Sequence, residues 1–153
     1  MRKVINLSPE AIDNTDFTLH VGDKNTFDIV DDRLFEYNKK CVSPTQKPEV
    51  IDKRFVIKKD DKVIAGIDAD IYIWNILFVS VIFVDEDYRD QGLGSILLNK
   101  VESEAKTLGV KLSHLDTFDF QAKEFYEKHG YEVFGTLDDC PEGHKRYYMR
   151  KLL

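Results

Sequence analysis

Two cysteines, Cys41 and Cys140, are all the chain has in 153 residues. They stand alone, with no C-x-x-C pair and no metal-ligand spacing, so neither a disulfide framework nor a zinc site is expected. No apolar run approaches the roughly 20 residues that a membrane-spanning helix needs. The start, Met1-Arg2-Lys3-Val4-Ile5-Asn6-Leu7, is basic but lacks the apolar stretch of a secretory leader. Internal repeats, low-complexity tracts and linker-like segments are also missing. Basic residues are not in excess: 22 Lys and Arg face 28 Asp and Glu, for a net charge of −6. That balance argues against nucleic acid as a partner and is compatible with a cationic one. These absences together describe a cytoplasmic chain with no membrane, metal or nucleic-acid business.

What is present is an ordinary globular composition, 42% apolar and 33% charged. The length suits a single domain, residues 1–153, with a core of its own. Phe17-Thr18-Leu19-His20-Val21 reads as a strand, and a helix is expected from about Asp31 to Lys40 with Leu34, Phe35 and Tyr37 on its buried side. Pro44 and Pro48 bracket a loop. Arg54 to Lys58, an Asp60-Asp61 turn, and Val63 to Trp74 form a hairpin, in which Ile67, Ala69, Ile71 and Ile73 alternate with polar or larger residues. Ile76 to Val84 is almost continuously apolar, as in a central strand covered on both faces. Further on, Leu97, Leu98, Val101, Ala105 and Leu108 mark one face of a helix that begins at Ser95 and is capped at Gly109. Leu112 to Phe118 is the next strand. A short helix follows from Gln121 to His129, closed by Gly130. Two last strands, Tyr131 to Phe134 and Arg146 to Met149, flank the turn-rich Asp138 to Gly143. Strands and helices intermix, so the fold class is α/β or α+β.

Chemistry concentrates where the strand Ile76–Val84 meets the following helix. Arg89-Asp90-Gln91-Gly92-Leu93-Gly94 spells R-x-x-G-x-G ahead of Ser95. A helix start offers N–H groups with no partner inside the helix, together with the positive end of the helix dipole. A pyrophosphate is a natural occupant, and glycine at 92 and 94 lets phosphate approach the main chain. Two other readings compete on these residues alone. One is a tight turn with close helix packing. The other is a Rossmann dinucleotide site with Asp116 as its ribose-binding acid, although Leu97 stands where the third glycine belongs and no second βαβ half follows.

The second motif is Phe125-Tyr126-Glu127-Lys128-His129-Gly130-Tyr131. Together, Arg89-x-x-Gly92-x-Gly94 and Tyr126-x-x-x-Gly130-Tyr131 resemble the GNAT superfamily of acetyl-coenzyme A-dependent N-acetyltransferases. The resemblance runs from about Arg54 to the C-terminus and is closest to small bacterial members. It implies a mixed central β-sheet flanked by helices, with acetyl-CoA bound where a splayed strand, the glycine turn and the helix meet. By that resemblance Ile82, Phe83 and Val84 pair with the pantetheine arm. Arg89, Gln91, Gly92, Leu93, Gly94 and Ser95 hold the pyrophosphate, and Thr117, Ala122 and Phe125 complete the cofactor site. Three positions depart from the family pattern: Glu86 replaces a common proline, Asp90 a common glycine, and Asp119 an asparagine that contacts the cofactor. Asp90 is expected to point to solvent, since a carboxylate facing pyrophosphate is unfavourable.

The implied reaction moves an acetyl group from the thioester to a primary amine by direct attack. A main-chain N–H near Ile82 or Phe83 is the expected donor to the carbonyl oxygen. Tyr126 is the expected acid for the departing thiolate, a phenol of pKa ~10 serving a thiol of pKa ~8.5; the alternative is that it only packs beside Phe125. For the base, Asp68, Asp70, Glu86 and His114 stay open and none is assigned. Trp74, His144, Lys145 and Arg146 read as packing or solvated residues. The expected acceptor is a small-molecule amine or a protein amino group, and a homodimer is compatible with the family. The competing function is a non-catalytic acyl-CoA-binding regulatory module.

Overall fold

Two consecutive aspartates, both in the left-handed region, turn the first hairpin. Asp60 and Asp61 have φ of 48° and 62°, the mirror-image turn whose twist matches that of the strands it joins. It links β1 (Val50–Lys59) to β2 (Lys62–Tyr72) in antiparallel register. β3 (Ile76–Val84) returns antiparallel along β2. A short 3-10 turn at Glu86–Tyr88 then leads into α2 (Leu93–Thr107), numbered after the earlier helix α1 (Lys24–Cys41). β4 (Leu112–Phe118), α3 (Lys123–Lys128), β5 (Glu132–Asp138) and β6 (Lys145–Leu152) complete the chain. The six strands lie in the order β1-β2-β3-β4-β6-β5, with only β3 and β4 parallel. This computed structural model describes residues 17–153; the basic start at Met1–Leu7 lies outside them.

The chain divides after Ser43 into two compact units. In the first, α1 starts seven residues before the expected Asp31. The reason is a capping box: Asp23 accepts from Thr26 N at 2.8 Å, and Thr26 Oγ1 accepts from Asp23 N at 2.9 Å. The Thr26 hydroxyl also donates to the Asp23 carboxylate, and this bond, followed by that from Thr26 N, holds the carboxyl below its ordinary pKa. Leu34 and Tyr37, expected on a buried side, are exposed, and no residue of α1 is buried. Phe17–Val21 forms no strand, since alternation and β-propensity without a partner ladder do not make one.

The second unit, Pro44–Leu153, holds the sheet. Ile67, Ala69, Ile71 and Ile73 are buried as their alternation predicts, and the first three meet Leu97, Leu98, Val101 and Ala105 from α2. Leu108 falls past the end of α2 and is exposed. One charge enters this interior: Glu102 on α2 is buried and ion-paired with Lys151 at 2.5 Å, while its Oε1 has no hydrogen-bond partner among the described residues.

β3 departs from the expectation of two covered faces. Leu77 and Val79 are buried, but Val81 and Phe83 are exposed. The cause lies in the pairing. β3 meets β4 only at Ile76–Phe78 against Leu112–His114, whereas β4 stays paired with β6 along its whole length. β3 remains bound to β2, with a bulge at Ser80 between the Asp68–Val81 and Ala69–Val79 pairs. Bulges bend a strand and raise its twist. Past Phe78 the two central strands therefore separate.

Leu98→Ala, at a fully buried site, is expected to lower unfolding free energy by about 2–5 kcal/mol, and Leu152→Ala, at an exposed one, by less than about 0.5 kcal/mol. Denaturant midpoints of the two variants check this.

Candidate active site

The separation of β3 from β4 opens a cleft of ≈ 1140 Å³ that reaches the start of α2 and the inner side of α3. Beyond Phe78, β3 has a ladder on one side only, so main-chain N–H and C=O groups of its other edge are left for whatever fills the cleft. Ile82 and Val84 turn toward the helix-covered face and pack on the core, while Val81 and Phe83 turn the opposite way. All four line the cleft.

At the α2 end, Gly92 is the N-cap with φ of 80°, no side chain caps the helix, and its first turn holds no acidic residue. Ile96 N is the first donor to a carbonyl within the helix, at 3.0 Å to Gly92 O. The preceding N–H groups thus face the cleft mouth with the dipole behind them, as an anion requires. The two glycines do different work. A Cβ on Gly92 would meet nothing within 4 Å, so its need is conformational; one on Gly94 would lie 3.3 Å from Phe125 Cζ, so its need is space. Arg89 donates from Nε to Val84 O at 3.2 Å, tying the turn to the end of β3. Asp90 is exposed with φ of 59°.

On the inner side of α3, Tyr126 is 6% exposed. Its ring stands edge-on to Phe125 at 5.2 Å and to Tyr131 at 5.8 Å, and Tyr131 is fixed by a 2.7 Å hydrogen bond with Ser113 Oγ. Burial pushes the Tyr126 phenol up to about 12, and the negative charge of Asp116 adds to the shift. It is therefore a protonated donor at neutral pH.

Ile82, Phe83, Val84, Arg89, Gly92, Leu93, Gly94, Ser95, Thr117, Ala122, Phe125 and Tyr126 all line this one cleft. Gln91 does not; its Nε2 donates to Asp87 O at 3.3 Å within the turn. None of the four open base positions lines it either. Asp68 accepts from Arg54 Nε at 2.9 Å, and Glu86 lies on the exposed 3-10 turn. Asp70 is raised above the usual carboxylate range, mainly by burial. His114 Nε2 and Tyr72 OH share a 2.9 Å hydrogen bond. Asp119 lines the cleft with both oxygens engaged, Oδ1 by His144 Nδ1 at 3.0 Å and Oδ2 by Lys145 N at 3.1 Å.

Among the lining groups the sequence reading did not assign to the site are Tyr147 and Asp116. Tyr147 gave no signal beyond its place on a strand. Asp116 was weighed only as a ribose-binding acid, and the structure removes that role. Its Oδ2 accepts from Arg146 at 2.8 Å (Nε) and lies 2.6 Å from Nη2, and a largely antiparallel sheet is no doubly wound dinucleotide fold.

Known proteins resemble this chain in sequence and fold. Residues 52–133 match the family model of the acetyltransferase (GNAT) domain. Blasticidin-S acetyltransferase of Streptomyces morookaense is 36% identical over 81 residues, 52% of this chain and 60% of that protein, so the match spans less than two thirds of that relative. A crystal structure of an acetyltransferase from Bacillus cereus superposes with a TM-score of 0.82 at 32% identity, covering 90% of this chain and 98% of that one. An aminoglycoside 6'-N-acetyltransferase solved with coenzyme A is similar in fold, with a TM-score of 0.58 at 21% identity over 69% of this chain and 74% of its own.

Gly92→Ala forces a Cβ into the left-handed region and is expected to cost about 1–2 kcal/mol of stability, with Gly92→Asn recovering part of it in denaturant titrations. His114 makes a pH-dependent contribution. Burial lowers its pKa below 6.5 in the folded chain, so the unfolded chain takes up the proton first as pH falls. The contribution is intact above about 6.5 and is lost below it. Melting temperatures between pH 7 and 5 are expected to fall less in His114→Gln than in the wild type.

Proposed function

The chain belongs to the GNAT acetyltransferase family, and we propose that it transfers an acetyl group from acetyl-CoA to a primary amine by direct attack on the thioester. The observation that carries this reading is the convergence of a half-unpaired strand, an uncapped helix start and a buried phenol on one cleft. The cosubstrate supplies an activated acetyl thioester. The rest of the chemistry falls to side chains and main chain of this protein.

The residues present suit acetyl-CoA. A helix start with free N–H groups and no first-turn carboxylate accepts pyrophosphate. Leu93, Gly94 and Ser95 supply those donors, with Arg89 close by for added positive charge. The free edge of β3 at Ile82–Val84 offers main-chain partners to the amide-bearing pantetheine arm. A main-chain N–H near Ile82 or Phe83 donates to the thioester carbonyl oxygen as it gains negative charge, a contact typically worth about 10²–10³ in rate. Thr117, Ala122 and Phe125 close the cofactor side, with Ala122 N held by Thr117 Oγ1 at 3.4 Å. Gln91 serves the turn rather than the ligand.

Tyr126 gives its proton to the departing thiolate. Its pKa near 12 keeps it protonated through the physiological range, and thiolate is a fair leaving group on its own, so its share is at the modest end for acid catalysis. Residues 1–153 act in this reading as one acetyltransferase domain, in the cytoplasm, on a small amine or a protein amino group. Antibiotic amines are supported as a class by the Streptomyces relative's name.

Calorimetry is expected to show micromolar acetyl-CoA binding and none for NAD; absence of acetyl-CoA binding overturns the proposal. Tyr126→Phe is expected to lower kcat by about 10²-fold with acetyl-CoA affinity unchanged. Equal turnover in the two proteins would remove the acid role. Binding without turnover of any amine would favour the non-catalytic acyl-CoA module.

A further inference from the structure

The cleft passes through the sheet, and its two sides differ in chemistry. On the helix-covered face lie Thr117 and Tyr126, next to the α2 start that suits a pyrophosphate. On the opposite face lie Val81, Phe83 and Asp116. The register establishes this second face: Asp70 pairs with Phe78 and Phe78 with His114, and Asp116 follows His114 by two residues on the same strand.

We propose that Asp116 is the carboxylate that captures a cationic acceptor amine, entering from the face of the sheet opposite Tyr126. Four carboxylates line the cleft: Asp90, Asp116, Asp119 and Glu124. Asp90 and Glu124 are exposed, and an ion pair in open solvent discriminates little. Both oxygens of Asp119 are engaged. Asp116 is half-buried, and both contacts from Arg146 fall on Oδ2. Its Oδ1 has no donor among the described residues, so one lone-pair-bearing oxygen is left for a ligand.

Arg146 makes this carboxylate rigid. Its guanidinium lies over the rings of Phe118, at 5.3 Å, and Tyr148, at 5.7 Å, so the pair cannot swing away as a free surface pair would. The field of Asp116 is felt at both Tyr126 and His114, where it raises the pKa relative to what burial alone would give. Asp68 and Asp70 stand on the same face of β2 but outside the cleft lining, and Arg54 pairs with Asp68. An alkylamine is almost wholly ammonium at neutral pH. Such a group is attracted to this side and loses its proton to water; its nitrogen then forms the C–N bond as the C–S bond breaks, the thiolate takes the proton of Tyr126, and the second proton shed by the nitrogen returns to Tyr126 through water. The role is capture, so it belongs in KM for the amine rather than in kcat.

This inference rests on the transferase reading, and the experiment separates the two. Wild type and Asp116→Asn are compared for acetyl-CoA binding by calorimetry, melting temperature, and amine-dependent thiol release. The probes are protonated alkylamines (n-butylamine, benzylamine, 1,4-diaminobutane) and a neutral arylamine, 4-methoxyaniline. Asparagine keeps the size of the side chain and an oxygen for Arg146. The expected result is a rise of about 10–100-fold in KM for the alkylamines, with acetyl-CoA affinity, melting temperature and KM for the arylamine unchanged. An equal change for both amine classes, no change for either, or acceptance of no alkylamine by a wild type that binds acetyl-CoA overturns the role of Asp116. Failure of the wild type to bind acetyl-CoA overturns the transferase reading instead.

Discussion

Everything at the site depends on the loss of hydrogen bonding between β3 and β4 after Phe78 and His114. Two neighbouring parallel strands would ordinarily continue their ladder, and a buried main-chain group left unpaired costs about 1–3 kcal/mol. Here each strand is kept by its other neighbour, β3 by β2 and β4 by β6. The bulge at Ser80 bends β3, and Ser80 Oγ donates to Asp68 O at 3.0 Å to hold the bend. The resulting gap is open to water or ligand, so its unpaired edge is not buried as a defect. It is a row of donors and acceptors fixed in advance by the scaffold.

Two further features take their meaning from that gap. Gly92 could end a turn in any protein, yet here the helix it starts directs its N–H groups at the mouth of the cleft. Tyr126 could be one more core aromatic, since its ring packs on Phe125 and Tyr131. It differs from an ordinary core residue in lining the cleft as well. Burial raises its proton affinity, and the strand gap opens beside it. Asp116 stands in a similar relation to Arg146: alone it is a cross-strand ion pair, and beside the gap it is an anion with one oxygen to spare.

Much of the second unit was legible along the chain. Alternation in β2 named its buried residues, the spacing of Leu97, Leu98, Val101 and Ala105 named the inner face of α2, and Asp60-Asp61 marked the hairpin turn. The α1 start was missed because a capping box depends on the two side chains of Asp23 and Thr26 reaching one another's main chain, while a periodicity reading weighs only apolar positions. The apolar run of β3 misled for a related reason, although the family resemblance had implied a splayed strand at Ile82–Val84. Ile76 to Val84 is apolar throughout, and composition cannot say that the neighbouring strand leaves halfway. Of the proposed cofactor positions, Gln91 lies outside the cleft lining, with its side chain bonded within the turn.

The sequence by itself determined the local conformations: which segments alternate, which repeat every three or four residues, where glycine relieves a left-handed backbone, and which tyrosine closes the second motif. Those properties follow from steric and solvation preferences of residues close together in the chain. Only the tertiary structure decided that β3 and β4 part at Phe78 and His114, that Tyr126 and Asp116 flank the gap from opposite faces, and that Arg146, thirty residues from Asp116, holds its carboxylate. These depend on strand order and register, which are set by long-range hydrogen bonding and core packing together, and no window of neighbouring residues contains them.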